Sequence, residues 1–157
     1  MIINPYRYSE AAPAGEYSYH RVDYLVSGEG LAALTELKFK LADDSDYPLT
    51  GSTITSSLSW SLIGGGSIAL VGDGTISGQL AYGGSTGVWR DIKIQTPIPV
   101  AVKSVMTATQ TNFNGPYNIP TGVRYYVSDD GVSYTLVKEV LGYLGTASGY
   151  IETNVEP

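Results

Sequence analysis

The sequence predicts an all-β protein, an antiparallel two-sheet β-sandwich of the jelly-roll kind. Three observations carry this. Charged residues make up only 15% of the 157, and Ser, Thr, Gly and Tyr fill the gap. That mix suits strands and turns better than helices. Short apolar or alternating runs recur along the chain between clusters of Gly, Pro and Asp. Finally, Arg124 to Tyr134 reads as a β-hairpin. An alternating strand runs into an acidic turn, with Gly131 where the backbone needs positive φ, and a second strand returns.

The elements follow in order. Residues 1–18 form an arm ahead of a domain spanning 19–157. Pro5, Pro13 and Gly15 break any period, while Ile2, Ile3, Tyr6, Tyr8 and Tyr17 supply apolar surface. Two readings stay open: a frayed terminus, or an arm that docks on a neighbouring subunit. Tyr19 to Val26 alternates loosely and reads as a strand. Leu31, Leu34, Leu37 and Leu41 fit a helical stripe, whereas Leu37, Phe39 and Leu41 fit a strand. The preferred reading is a loop or a turn or two of helix through Leu34, then a strand from Thr35. Asp43 to Pro48 is a turn cluster. Thr53 to Leu62 reads as one strand rich in Ser and Thr. Gly64-Gly65-Gly66 is a loop, and no Lys-Ser/Thr follows it to bind phosphate.

Ile68 to Val71 is a short apolar run ending in Gly72-Asp73-Gly74. Val88 to Gln95 alternates, but its Val88, Ile92 and Ile94 face also carries Arg90, which suggests a bulge. Pro97 and Pro99 argue against a central strand at that point. Val100 to Ala108 is the next strand, and residues 112–122 form a long loop. The hairpin follows, with its second strand running through Leu136 and Val140. A last strand spans Gly149 to Thr153. About eight strands result, enough for a sandwich.

Composition also limits function. The net charge is −6 and the pI near 4.6, so phosphate backbones are repelled and nucleic acid is not an expected partner. The chain has no cysteine, hence no disulfide, thiol nucleophile or Cys-ligated metal. No run of about 18 apolar residues exists, so no membrane insertion is expected. Met1 to Tyr8 lacks the basic and apolar regions of a signal peptide. A complete small reading frame that avoids classical secretion is therefore expected.

No enzyme is expected either. His20 is the only histidine and lies within a strand beside Arg21, where a surface or interface role is expected. Asp129 and Asp130 are adjacent turn formers and cannot flank a glycosidic bond. Asp43, Asp44 and Asp46 lack the Gly and Glu spacing of a calcium-binding helix–loop–helix, since Leu49 stands sixth from Asp44.

Several segments resemble a known family. Arg124 to Tyr134 is similar to the "YSxDG-xx-(W/Y)" hairpin of discoidin-like domains, the coagulation-factor C-type modules. Val71 to Ser77 resembles that family's "FDG-NxST" loop. Val88 to Ile94 and Pro99 to Val105 resemble its "W-IxxD-L" and "xVxSVxI" strands. The resemblance implies a galactose-binding-like β-sandwich. In the family, strands similar to Tyr19–Leu25 and Thr35–Phe39 come last, whereas here they come first. That order resembles a circular permutation, which would place the Tyr19–Val26 strand beside strands of the C-terminal half.

The resemblance also implies candidate sites. A structural calcium would be held by Asp73, Thr75 and Glu36. The preferred alternative is that Asp73 makes an Asx-type turn before Gly74. No other cofactor is implied. Sugar binding is the family's common small-ligand role, with contact candidates Trp60, Tyr82 and Tyr117. Leu80 departs from the aromatic expected near its place, and Trp89 matches a residue usually packed in the core.

The permuted order and the Met1–Arg7 start are similar to small proteins and tail-fibre modules of tailed bacteriophages. The expected function is a non-enzymatic virion structural protein, a capsid decoration or a tail or tail-fibre component. It would be made in the host cytoplasm and located in the virion. Its partners would be other virion proteins and further copies of itself. The alternative is a module that binds host-surface glycan.

Overall fold

The computed structural model describes residues 15–25, 31–57, 60, 62–63, 67–74, 79–83, 87–109, 120–142 and 149–157. Its strands, numbered in chain order, are β1 (Tyr17–Leu25), β2 (Leu31–Leu34), β3 (Glu36–Leu41), β4 (Asp46–Pro48), β5 (Thr53–Thr55) and β6 (Leu62–Ile63). A 3-10 turn follows at Ile68–Gly72. Then come β7 (Gln79–Gly83), β8 (Trp89–Val100), β9 (Val102–Thr109), β10 (Gly122–Ser128), β11 (Thr135–Leu141) and β12 (Gly149–Asn154). Two antiparallel layers pack face to face, the all-β sandwich that the composition and turn spacing predict. One layer has the order β11-β10-β1-β8-β5. The other has the order β12-β9-β3-β4, and β2-β7-β6 continues from β3 through Thr35. The Thr35 amide donates to the carbonyl of Ala108 on β9 at 2.9 Å, so the chain does not leave the layer there. Among the described residues no helix is long and apolar enough to cross a membrane.

The core lies between the layers. β1 sends Val22 and Tyr24 inward, β8 Ile92 and Ile94, and β10 Val123, Tyr125 and Val127; Leu37, Phe39 and Val105 meet them from the opposite layer. These residues sit at alternate positions, as a sheet with one buried face requires. The Tyr24 hydroxyl shares a 2.8 Å hydrogen bond with Thr107 Oγ1 on β9, which ties the layers together at a fully buried point. Burial pushes the Tyr24 phenol up, so it stays neutral.

β1 lies between β8 and β10 and pairs with both, from Tyr24↔Val123 to Tyr19↔Ser128 and from Leu25↔Trp89 to Tyr19↔Gln95. The strand therefore sits beside strands of the C-terminal half.

Several expectations are corrected. Leu31–Leu34 is strand β2, paired with β7, because a neighbouring strand rewards extended backbone more than a short leucine stripe rewards helix. Thr53–Leu62 is not one strand. β5 ends at Thr55 because Ser56 and Ser57 turn to bond Asp91. Ile68–Gly72 coils into the 3-10 turn, seating Val71 and Gly72 in the interior. Trp89 to Gln95 pairs with β1 in unbroken register, so no bulge is needed at Arg90. The irregularity falls where the prolines are: Tyr19 faces Gln95, yet Tyr17, two residues away, faces Val100. The extra residues loop out at Pro97–Pro99, with Ile98 59% exposed, so β8 carries two prolines without losing ladder bonds it needs. The arm boundary also moves. Tyr17 and Ser18 belong to β1, and Tyr17 packs against the core.

Candidate functional site

The outward face of the five-stranded layer follows from the same alternation. β1 turns Tyr19, Arg21 and Asp23 outward, opposite Gln95, Lys93 and Asp91 on β8 and Ser128, Tyr126 and Arg124 on β10. β5 adds Thr53 and Thr55 beside Gln95 and Lys93. The arginines are fixed. Arg21 forks onto Asp23, with Nε at 2.7 Å and Nη2 at 2.8 Å, and its guanidinium lies 5.0 Å from the Tyr126 ring centre. Arg124 bonds Glu139 and lies 4.0 Å from the Trp89 ring centre. Such forked and stacked pairs neutralise and orient both cations.

Lys93 differs. Among the described residues no carboxylate lies within ion-pair distance of it, whereas Arg21, Lys38, Lys40, Lys103 and Arg124 each hold one. Its ammonium lies 5.9 Å from the Tyr134 ring centre. It borders a groove of about 190 Å³ lined by Tyr19, Thr53, Thr55, Lys93, Gln95 and Tyr134. Gln95 Nε2 donates to the Tyr19 hydroxyl at 3.4 Å. Burial pushes the Tyr134 phenol up, so that ring faces the groove as a neutral phenol near pH 7.

The wall carrying Tyr134 is a preset turn. Ser128 Oγ accepts from the amide of Gly131 at 2.9 Å and donates to Asp130 Oδ1 at 2.9 Å. Asp130 Oδ1 also accepts the amides of Val132 and Ser133, both at 2.8 Å. Those backbone donors, then the Ser128 hydroxyl, hold the Asp130 carboxyl down at about 2. Gly131 has φ 71°, and a Cβ there would lie 2.8 Å from the Tyr19 ring. The Ser-x-Asp-Gly spacing of the hairpin thus has a physical reason: it closes the turn and lets it rest on Tyr19.

The candidates read from sequence are scattered. Trp60 is a correction: it is buried, with Nε1 donating to the Asp91 carbonyl at 3.2 Å, so it is a core residue and no glycan platform. Tyr82 stands in β7. Tyr117, Thr75, Ile2, Ile3, Tyr6 and Tyr8 lie outside the described residues. His20 is a second correction. It faces inward beside Val22 and Tyr24, fully buried, with Nδ1 2.7 Å from the Tyr125 hydroxyl. The only imidazole is therefore sealed from any surface substrate.

Glu36 does reach the Gly72-Asp73-Gly74 loop. It is buried on β3, and its Oε1 accepts the Gly74 amide at 3.2 Å. Gly74 has φ 85°, while Asp73 is exposed. Calcium takes six to eight oxygens. Among the described residues no three acidic or histidine groups converge, and a donor amide faces Glu36. The Glu36 carboxylate thus caps the turn at Gly74, while Thr75 lies outside the described residues. We expect the melting temperature to be the same in calcium and in chelator. We expect Glu36→Ala to lower it, because the Gly74 amide loses its acceptor, at about 1–3 kcal/mol. A rise in melting temperature with calcium that Asp73→Ala abolishes would reinstate the metal.

The groove residues Tyr19, Lys93, Gln95 and Tyr134 were not legible as a set. The only signal was the outward half of each alternation. No family model, curated protein or solved structure matches the chain.

Proposed function

We propose that this chain is a non-enzymatic structural protein of a tailed-bacteriophage virion. It would be a capsid decoration or a tail or tail-fibre component on a discoidin-like, circularly permuted sandwich. The segments that resemble discoidin domains support this by where they fall. The Tyr19–Leu25 strand lies between β8 and β10, and Glu36 meets the Gly72–Gly74 loop. The observation that carries an assembly role is the β11 edge. Among the described residues β11 pairs only with β10, leaving a seven-residue ladder edge. Val132 before it is 82% exposed and Leu141 at its end 64% exposed. An open edge flanked by apolar side chains recruits a strand or surface of a neighbour, while Lys138 and Glu139 discourage indiscriminate pairing.

The test is incorporation into particles lacking the protein. The double substitution Val132→Asp, Leu141→Asp is expected to melt like the parent and fail to incorporate. Removal of residues 1–14 tests the arm separately and must stop there, because Ser18 O accepts from Thr96 Oγ1 and Tyr17 pairs with Val100. Unchanged incorporation of both variants would rule out this mode of assembly. A second reading, a host-surface glycan-binding module, is favoured by one observation: the groove lined by two tyrosines and an ammonium that no carboxylate among the described residues holds.

A further inference from the structure

We infer that the groove between β5, β8 and the hairpin turn binds an acidic saccharide, one sugar ring bearing a carboxylate. The inference rests on the glycan-binding reading and assigns its ligand class and its site. The position is the sheet face, not the loops at an end of the sandwich.

The argument starts from the rings. Tyr19 stands on β1, and Tyr134 is held by the turn locked through Ser128 and Asp130. Two fixed phenols offer apolar faces for the C–H side of a sugar and hydroxyls for its edge, with little entropy left to lose. Thr53 and Thr55 project side by side from β5, both exposed, and exposed Gln95 adds an amide. A sugar ring needs this mixture of aromatic surface and neutral donors and acceptors. The volume, about 190 Å³, lies below the roughly 300 Å³ at which drug-sized sites begin, which suits one ring of a longer chain lying across an open face.

Charge selects the class. Arg21 and Arg124 already hold Asp23 and Glu139. Lys93 holds no carboxylate among the described residues, yet β8 fixes its position beside the two tyrosines. A cation left over on a protein of net charge −6 marks where an anionic group is accepted. One ammonium matches one carboxylate. A nucleic-acid backbone would need a run of uncompensated cations, whereas on this face Arg21 and Arg124 are held by Asp23 and Glu139.

The test uses the full-length chain. Binding of oligosaccharides ending in sialic or glucuronic acid is compared with that of their neutral galactose- and glucose-ended counterparts, by titration calorimetry at two salt concentrations. We expect binding of the acidic probes only, weakening with salt. Lys93→Gln should lower affinity about tenfold or more, as loss of a charge-assisted hydrogen bond does. Lys93→Arg should keep most of it, and Lys138→Gln should change nothing. Melting curves establish that each variant is folded. Equal binding of neutral and acidic probes, indifferent to Lys93→Gln, overturns the acidic class and leaves the glycan reading standing. Binding to none of the probes overturns both.

Discussion

Replacing Phe39 with alanine is expected to destabilise the fold by about 3–5 kcal/mol. Phe39 is fully buried on β3, and its ring meets the opposite layer at two points. Its centre lies 5.0 Å from that of His20 and 6.4 Å from that of Tyr125, the latter edge-on at 76°. His20 and Tyr125 in turn stack at 6.0 Å. The three rings form one contact across the sandwich, and only Phe39 comes from the second layer. Truncation removes the burial of one aromatic side chain and opens a cavity that strands on either side cannot close. A domain of this kind has only about 5–15 kcal/mol to lose, so the variant is expected to sit near the edge of folding. Phe39→Leu fills most of the space and should cost far less. The difference would report the cavity apart from the ring geometry, which adds about 0.5–1.5 kcal/mol per aromatic pair. Urea denaturation of the three proteins makes the measurement. A loss under about 1 kcal/mol for Phe39→Ala would mean that the ring contact does not hold the layers together.

What could be read in the sequence divides by range. The hairpin was legible because its bonds are local: Ser128, Asp130, Gly131 and Ser133 close the turn among themselves. Val22 and Tyr24 were legible as one face of β1 because alternation needs no knowledge of the partner strand. His20 shares that parity, and the pattern places it inside. Expectation from residue type placed it outside, because the hydroxyl that bonds its Nδ1 belongs to Tyr125, 105 positions away. Trp60 failed in the same way, since its acceptor is the Asp91 carbonyl, 31 positions on. Pro97 and Pro99 argued against a central strand there, yet β8 runs through them to Val100, with only a shift of register against β1. Only the register against Tyr17 and Tyr19 shows that the strand continues to Val100. The groove depends most on distant pairing. Tyr19, Lys93 and Tyr134 meet only once β1 is inserted between β8 and β10, an order that no local pattern specifies.

Lowering the pH from about 6.5 to about 4 is expected to remove about 3 kcal/mol of stability through His20 alone. Burial is the main cause: it holds the imidazole down at about 4, against an ordinary value of 6.5, and a backbone hydrogen bond with Tyr17 offsets only part of this. The surroundings are Phe39, Tyr125 and the core faces of β1 and β10, and among the described residues no carboxylate pairs with the ring to stabilise the cation. Burial also pushes the Tyr125 phenol up, so it offers His20 a neutral hydroxyl and no charge. The sign follows from proton counting. Between the two values the unfolded chain binds a proton that the folded chain refuses. Stability is therefore full above about 6.5, falls as pH drops through the window, and loses nothing further on this account below about 4. The carboxyls held down in the fold, Asp43, Asp44, Asp130 and Glu152, act in a separate range. Their contribution fades only as pH falls below the ordinary carboxylate values, near 4. The slope from pH 6.5 to about 4.5 thus reports His20. Nuclear magnetic resonance titration of its ring should show the neutral form persisting to pH 5. His20→Gln, which can still bond the Tyr125 hydroxyl, should be less stable at pH 7 and flat across the window. A His20 midpoint near 6.5, or a parent melting temperature constant from pH 7 to 4.5, would sink the account. Either result would mean that water reaches the ring and that the contact between the layers at Phe39 is open.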